Sequence, residues 1–185
     1  MRIIAGSARS RVIQAPEGRD TRPTLDRVRE NLFNILARHV PGARVLDLFA
    51  GSGALALEAL SRGAASAVLV DHDRAAIHCI RQNLESLRFA GQAQVMQADW
   101  QSAVGSLLAQ GAAFELIFLD PPYAMQDLSE VTEALRPLLA EDALIIIEHR
   151  AQSEPLVAPG YERTDSRHWG IAGVTMYTLA SREET

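Results

Sequence analysis

Residues 45–53 read Val45-Leu-Asp-Leu-Phe-Ala-Gly-Ser-Gly53: an apolar run ending in an acid, then small residues, then a helical pattern. That order suits a β-strand, a tight glycine turn and a helix whose N-terminus faces a ligand. Arg44 to Phe49 forms the strand, and Ala54 to Ser61 the helix, which Gly63 stops. The unit then repeats. Strands are expected at Ala67 to Asp71, Ala93 to Gln97, Phe114 to Asp120 and Ala143 to Glu148. Helices are expected at Ala75 to Leu87, Ser102 to Ala109 and Leu128 to Leu139, with Pro137 distorting the last turn. Such alternation predicts an α/β fold in three layers, a mostly parallel sheet between helices. Tyr161 to His168 and Val174 to Leu179 flank W-G-I-A-G, which predicts a C-terminal antiparallel hairpin with a loop longer than two residues.

Upstream, residues 1–22 mix Ile3, Ile4, Val12 and Ile13 with arginines and read as an N-terminal β-hairpin arm. Residues 23–185 form the main domain. Within it, Thr24 is a candidate N-cap for a helix with Leu25, Val28, Leu32, Ile35 and Leu36 at helical spacing, ended by Pro41-Gly42.

Hydrophobic residues make up 48% of the 185-residue chain, enough to build a sizeable core. No apolar run reaches the roughly 18–20 residues of a membrane span, and the N-terminus lacks the apolar stretch of a secretory signal. A cytoplasmic protein is expected. One cysteine, Cys79, excludes an internal disulfide and a cysteine-based zinc site, and no metal is expected. The net charge of −5 is unevenly spread. Residues 1–44 carry nine arginines against four acids; the remainder carries nine against nineteen. A basic segment on an acidic body points to a local anionic partner; a solvated charged surface is the alternative.

In sheets of this kind ligands bind at the carboxyl ends of the strands. Asp47, Asp71, Asp99 and Asp120 all lie at or just past such ends. The plain alternative is that each caps the next helix or turn, which suits Asp73 well. The turn has Gly51 and Gly53 but not the third glycine of a dinucleotide motif. Asp47, ahead of the glycines, would repel a pyrophosphate and suit a cation. S-adenosylmethionine fits, with a sulfonium, an ammonium and no phosphate. Phe49, Ala50, Gly51 and Gly53 would form its cradle, Asp71 would accept from both ribose hydroxyls, and Asp99 from the adenine amine, with His72 or Trp100 packing nearby.

D-L-F-A-G-S-G followed by F-L-D-P-P-Y (118–123) resembles the class I S-adenosylmethionine-dependent methyltransferases that modify exocyclic amines of nucleic-acid bases. Phe49 stands where the wider class has glycine, as it does in other amino-methylating members. R-P-T-L-D-R-V-R-E-N-L-F-N-I-L (22–36) narrows the resemblance to the bacterial 16S ribosomal RNA (guanine-N2)-methyltransferase family. The resemblance covers residues 1–150 and, more weakly, the closing hairpin. It implies a Rossmann-like class I methyltransferase sheet, S-adenosylmethionine as cofactor, 16S rRNA or the assembling small subunit as partner, and a monomer.

An exocyclic amine is a poor nucleophile, because its lone pair is delocalised into the ring. Asp120 can accept one N–H and the Pro121 carbonyl the other, favouring charge that develops on nitrogen. Pro122 locks the turn, and Tyr123 offers a ring for a base flipped out of its stack. Arg9, Arg11, Arg22, Arg27 and Arg29 are candidate phosphate contacts; Arg27 and Arg29 could instead pair with Asp26, Glu30 or acids of the body. His168 and Trp169 could line the base pocket or simply pack. Two other functions stay open. A DNA adenine-amine methyltransferase would use the same D-P-P-Y chemistry, although a separate DNA-reading domain is missing. A non-catalytic RNA-binding assembly factor could keep the fold, although the intact acids speak against it.

Overall fold

The computed structural model describes residues 1–16, 23–122 and 124–180. β1 (Arg44–Asp47) lies mid-sheet, with β2 (Ser66–Asp71) and β3 (Ala93–Gln97) on one side and β4 (Phe114–Leu119) and β5 (Leu139–Arg150) on the other. All five are parallel. β6 (Tyr161–Trp169) and β7 (Ala172–Leu179) add an antiparallel edge in the order β3-β2-β1-β4-β5-β7-β6. The helices are α1 (Pro23–Ile35), α2 (Ala54–Ser61), α3 (Arg74–Leu87), α4 (Trp100–Ala109) and α5 (Ser129–Leu135). No helix among the described residues is long and apolar enough to cross a membrane.

Two cores explain why the central strands read as continuous apolar runs. Val45, Leu69, Leu116, Phe118 and Ile146 share one core with residues of α1, α2 and α3. Leu46, Val70, Ile117, Leu119 and Ile147 share the other with residues of α4 and α5. Strand order reverses between β1 and β4, so a crevice opens beyond their carboxyl ends.

Several details differ from expectation. The C-terminal hairpin is tight: Trp169 pairs with Ala172, leaving only Gly170 and Ile171 in the turn. Gly170 has φ +65° and Ile171 has no positive φ, a pattern that suits a two-residue turn of type II′. Helix α1 begins at Pro23, ahead of Thr24; proline is favoured there because its missing N–H is not needed. After Leu135 the chain tightens into a 3-10 turn, Arg136–Leu138, at Pro137 as expected.

The N-terminal stretch forms one isolated antiparallel bridge, Arg2 to Val12, and is tied to the main sheet's helices. Ile3 and Ile13 enter the first core. Glu58 of α2, fully buried, accepts the backbone N–H groups of Ile4 (2.8 Å) and Ala5 (3.0 Å). Gly6 lies so close to the Ser61 carbonyl that a Cβ would sit 1.8 Å from it, so this crossing accepts only glycine. Asn83 of α3 donates to both Gln14 O and Ser52 O, linking this stretch to the glycine turn.

Candidate active site

The glycine turn is built from backbone constraints. Gly51 (φ +57°) and Gly53 (φ +78°) both take left-handed conformations that disfavour a Cβ. At Gly53 an added Cβ would also come within 2.9 Å of Leu69. Asp71, at the end of β2, holds the turn: its Oδ2 accepts from Gly51 N (2.8 Å) and its Oδ1 from Asp73 N (2.9 Å). Asp73 caps α3 by accepting from Ala75 N.

Register lines up the acids. Asp47 pairs with Leu69 and Phe118, two residues before Asp71 and Asp120. Leu119 pairs with Ile147, which puts Asp120 beside Glu148 on adjacent strands. Side chains alternate along a strand, so all four acids extend from the face that carries Val45, Leu69, Phe118 and Ile146. Asp71, Asp120 and Glu148 thus form one row, with Asp47 one step below it.

Above the row is a cleft open to solvent, about 610 Å³ with the open solvent counted. It is lined by Phe49, Asp71, His72, Asp99, Trp100, Asp120 and Pro122, all expected from the sequence, with Leu48, Ala98 and Met125. Ala50, Gly51 and Gly53, also expected at the site, lie in the turn after Phe49 and are not among the residues that line this cleft. Pro121 lines a neighbouring narrow cleft with Pro122, Gln126, Glu148 and His149. Tyr123 and Arg22 lie outside the described residues. Asp99 also caps α4, accepting from Ser102 N (2.7 Å) and Ser102 Oγ (3.1 Å), so the capping alternative holds for it as well.

Asp47 is 1% exposed. Its Oδ2 accepts weakly from Ala56 N (3.3 Å), and its Oδ1 has no partner among the described residues. A buried carboxylate oxygen without a donor is costly, and a cationic, donor-bearing ligand above it would relieve that cost. Burial, with Asp120 and Asp71 nearby, pushes the Asp47 carboxyl up to about 7. Glu148 is pushed up to about 8 by burial and then by Asp120, against the pull of Arg29. Glu148 is not among the site residues expected from the sequence, yet Ile145-Ile146-Ile147 ending in this acid repeats the pattern of the other strands.

These shifts set a pH dependence. Between pH about 4, where an ordinary carboxyl ionises, and pH about 7–8 the native chain holds protons that the unfolded chain has released. Stability therefore falls as pH rises through that window. We expect Glu148→Gln to flatten the decline between pH 5 and 8 in urea unfolding; an unchanged slope would show that Glu148 titrates normally.

The arginines separate. Arg29 is 4% exposed, donates to Asp26 (3.0 Å) and to the Arg2 carbonyl, and lies 3.8 Å from Glu58. Burial lowers its pKa against the pull of Asp26 and Glu58. It is a core ion, so the phosphate contact expected of it is corrected: no phosphate can reach it. Arg9 and Arg11 are exposed but sit at the opposite end of the sheet from the acids. Arg11 donates to Ser86 O in the last turn of α3, and the loop holding Arg9 packs on Ser61 at the end of α2. Arg27 is exposed and shares a cavity with Asn31, Trp169 and Gly170 at the acid-bearing edge.

Three comparisons agree with this geometry. The chain is 40% identical over 186 residues to the ribosomal RNA small subunit methyltransferase D of Escherichia coli K12, covering 99% of this chain and 90% of that protein. It is 36% identical over 185 residues to the protein of the same name from Haemophilus influenzae, covering 96% and 93%. The solved structure of Escherichia coli yhhF superposes with a TM-score of 0.82 at 38% identity, over 98% of this chain and 99% of that one. Residues 1–178 match the family model described as Conserved hypothetical protein 95, and by that match and these identities the chain belongs to this family of methyltransferases.

Proposed function

We propose that the chain methylates the exocyclic N2 amine of a guanine in small-subunit (16S) ribosomal RNA, working in the cytoplasm as a monomer with S-adenosylmethionine as donor. The observation that carries the reading is the row of strand-end acids above the buried Asp47 carboxylate, whose Oδ1 has no partner among the described residues, beside a cleft walled by Phe49 and Trp100. The donor supplies, when bound, a methyl group on a positively charged sulfur. Asp47 answers positive charge from below, and Asp71 keeps acceptor capacity beyond its two backbone bonds. Trp100 and His72 offer flat faces at the rim, beside Asp99. Asp120 and the Pro121 carbonyl hold the amine through its two hydrogens, and Pro122 fixes the turn between them and Met125, whose N–H donates to Pro122 O (2.8 Å). Tyr123, outside the described residues, is the ring we assign to stacking on the extruded base.

The reading also draws on the two relatives named for small-subunit ribosomal RNA methylation. Tritium transfer from S-adenosylmethionine to 16S rRNA and to immature small subunits tests it, with mass spectrometry locating the modified nucleotide. Incorporation at a guanine N2 is expected. No incorporation into either substrate by folded, cofactor-binding enzyme overturns it. Methylation of duplex DNA but not RNA transfers the assignment to an adenine amine.

A further inference from the structure

We infer that the cavity between α1 and the tip of the β6–β7 hairpin is a second nucleotide site, in which Trp169 stacks on an RNA base flanking the target and Arg27 holds the adjoining phosphate. This rests on the functional reading above and deepens it. The cavity is lined by Arg27, Val28, Asn31, Trp169 and Gly170 and is separate from the cleft that holds Asp71 and Asp120.

Position is the first argument. Arg150 pairs with Ala172, which pairs with Trp169, so the hairpin tip stands at the carboxyl ends of the parallel strands. Three strand spacings separate β4 from β6, roughly 15 Å, within reach of a short run of nucleotides entering the Asp120 cleft. Trp169 extends from the same sheet face as Ala172, Val174 and Glu148.

Composition is the second. From Glu162 to His168 the edge strand β6 carries only polar and charged residues; Trp169 ends it with an indole partly packed on the first core. Val28, 3% exposed, backs the cavity, and the exposed Arg27 and half-buried Asn31 stand on the same stretch of α1. An aromatic plane, a guanidinium and an amide are what single-stranded nucleic acid requires: stacking, charge and a base-edge partner. Arg27 gives the RNA backbone a cation to rest on away from the carboxylates of Asp71 and Asp120.

The test compares wild type, Trp169→Ala, Trp169→Phe and Arg27→Ala. Binding of a labelled 16S rRNA fragment is followed by anisotropy, methyl transfer by kinetics and cofactor binding by calorimetry. Base–aromatic stacking lost on truncation is worth about fivefold to hundredfold in affinity. Trp169→Ala should weaken RNA binding and raise KM for RNA by that factor, with kcat and cofactor affinity little changed, and Trp169→Phe should recover most of the loss. Arg27, on the surface, can be removed without disturbing the core; its loss should weaken binding and lower the salt dependence by about one unit of slope. Wild-type RNA affinity and KM in both Trp169→Ala and Arg27→Ala would overturn the site while leaving the methylation reading intact. RNA binding that depends on Trp169 in an enzyme that transfers no methyl group would uphold the site and overturn the reaction.

Discussion

Replacing Asp120 with alanine is expected to lower kcat for methyl transfer by about 10²–10³-fold, the scale of losing one preorganised polar group aimed at developing charge. The affinity for S-adenosylmethionine, measured by calorimetry, changes little. Asp120 lines the cleft at the level of Glu148, and its partner on the reacting amine would be a hydrogen that gains positive character in the transition state. Removing it should strip an interaction stronger there than in the ground state, and so reduce kcat and kcat/KM together. Asp71→Ala has the opposite signature. Asp71 holds Gly51 N and Asp73 N, so its loss frees the glycine turn and, under the proposed function, would also remove an acceptor for ribose. Cofactor affinity should fall by one to two orders of magnitude, the cost of a buried charge-assisted hydrogen bond. Equal losses of cofactor affinity in the two variants would refute this division of labour.

The second large effect is on stability. Glu58→Ala is expected to cost about 3–5 kcal/mol, the range for breaking a buried ion pair. Glu58 is fully buried and accepts from Arg62 (2.7 Å), Ile4 N and Ala5 N, with Arg29 at 3.8 Å. Alanine would take from the buried Arg29 one of its carboxylate partners, leaving it the Asp26 pair, and strand two backbone N–H groups. For a chain of this length the cost corresponds to about 10 °C in Tm. Thermal unfolding of the variant checks it; a shift under about 2 °C would show that water replaces the carboxylate readily. Glu58→Gln keeps acceptor capacity for the backbone groups and should lose less.

Much of the fold was legible because its signals are local. Apolar runs ending in Asp47, Asp71 and Asp120 marked three strand ends, and Gly51 and Gly53 marked the turn between β1 and α2. Pro137 announced the tightened turn after α5. Seven of the residues expected at the site line one cleft. What escaped depends on contacts distant in sequence. Helical spacing puts Arg29, with Leu25, Val28, Leu32 and Leu36, on the apolar face and Arg27 off it, but the buried partner that holds Arg29 there, Glu58, lies 29 residues on. Arg9 and Arg11 share the basic segment with Arg27, but their place at the far end of the sheet is decided by Ser61 and Ser86, more than 50 residues on. The hairpin loop was overestimated because Trp169 and Ala172, read as loop, complete the ladder.

The row of carboxylates at the strand ends also bears on how a polynucleotide can approach. Phosphates are repelled from Asp71, Asp120 and, once ionised, Glu148, while a neutral base is not. Under the proposed function, the same negative edge that would welcome a cationic donor would sort the substrate by its parts: backbone kept outward, near Arg27, and base turned in. It also discriminates in time. Transfer of the methyl group cancels the positive charge on sulfur, so the edge loses part of its hold on the spent donor at the moment the reaction is complete.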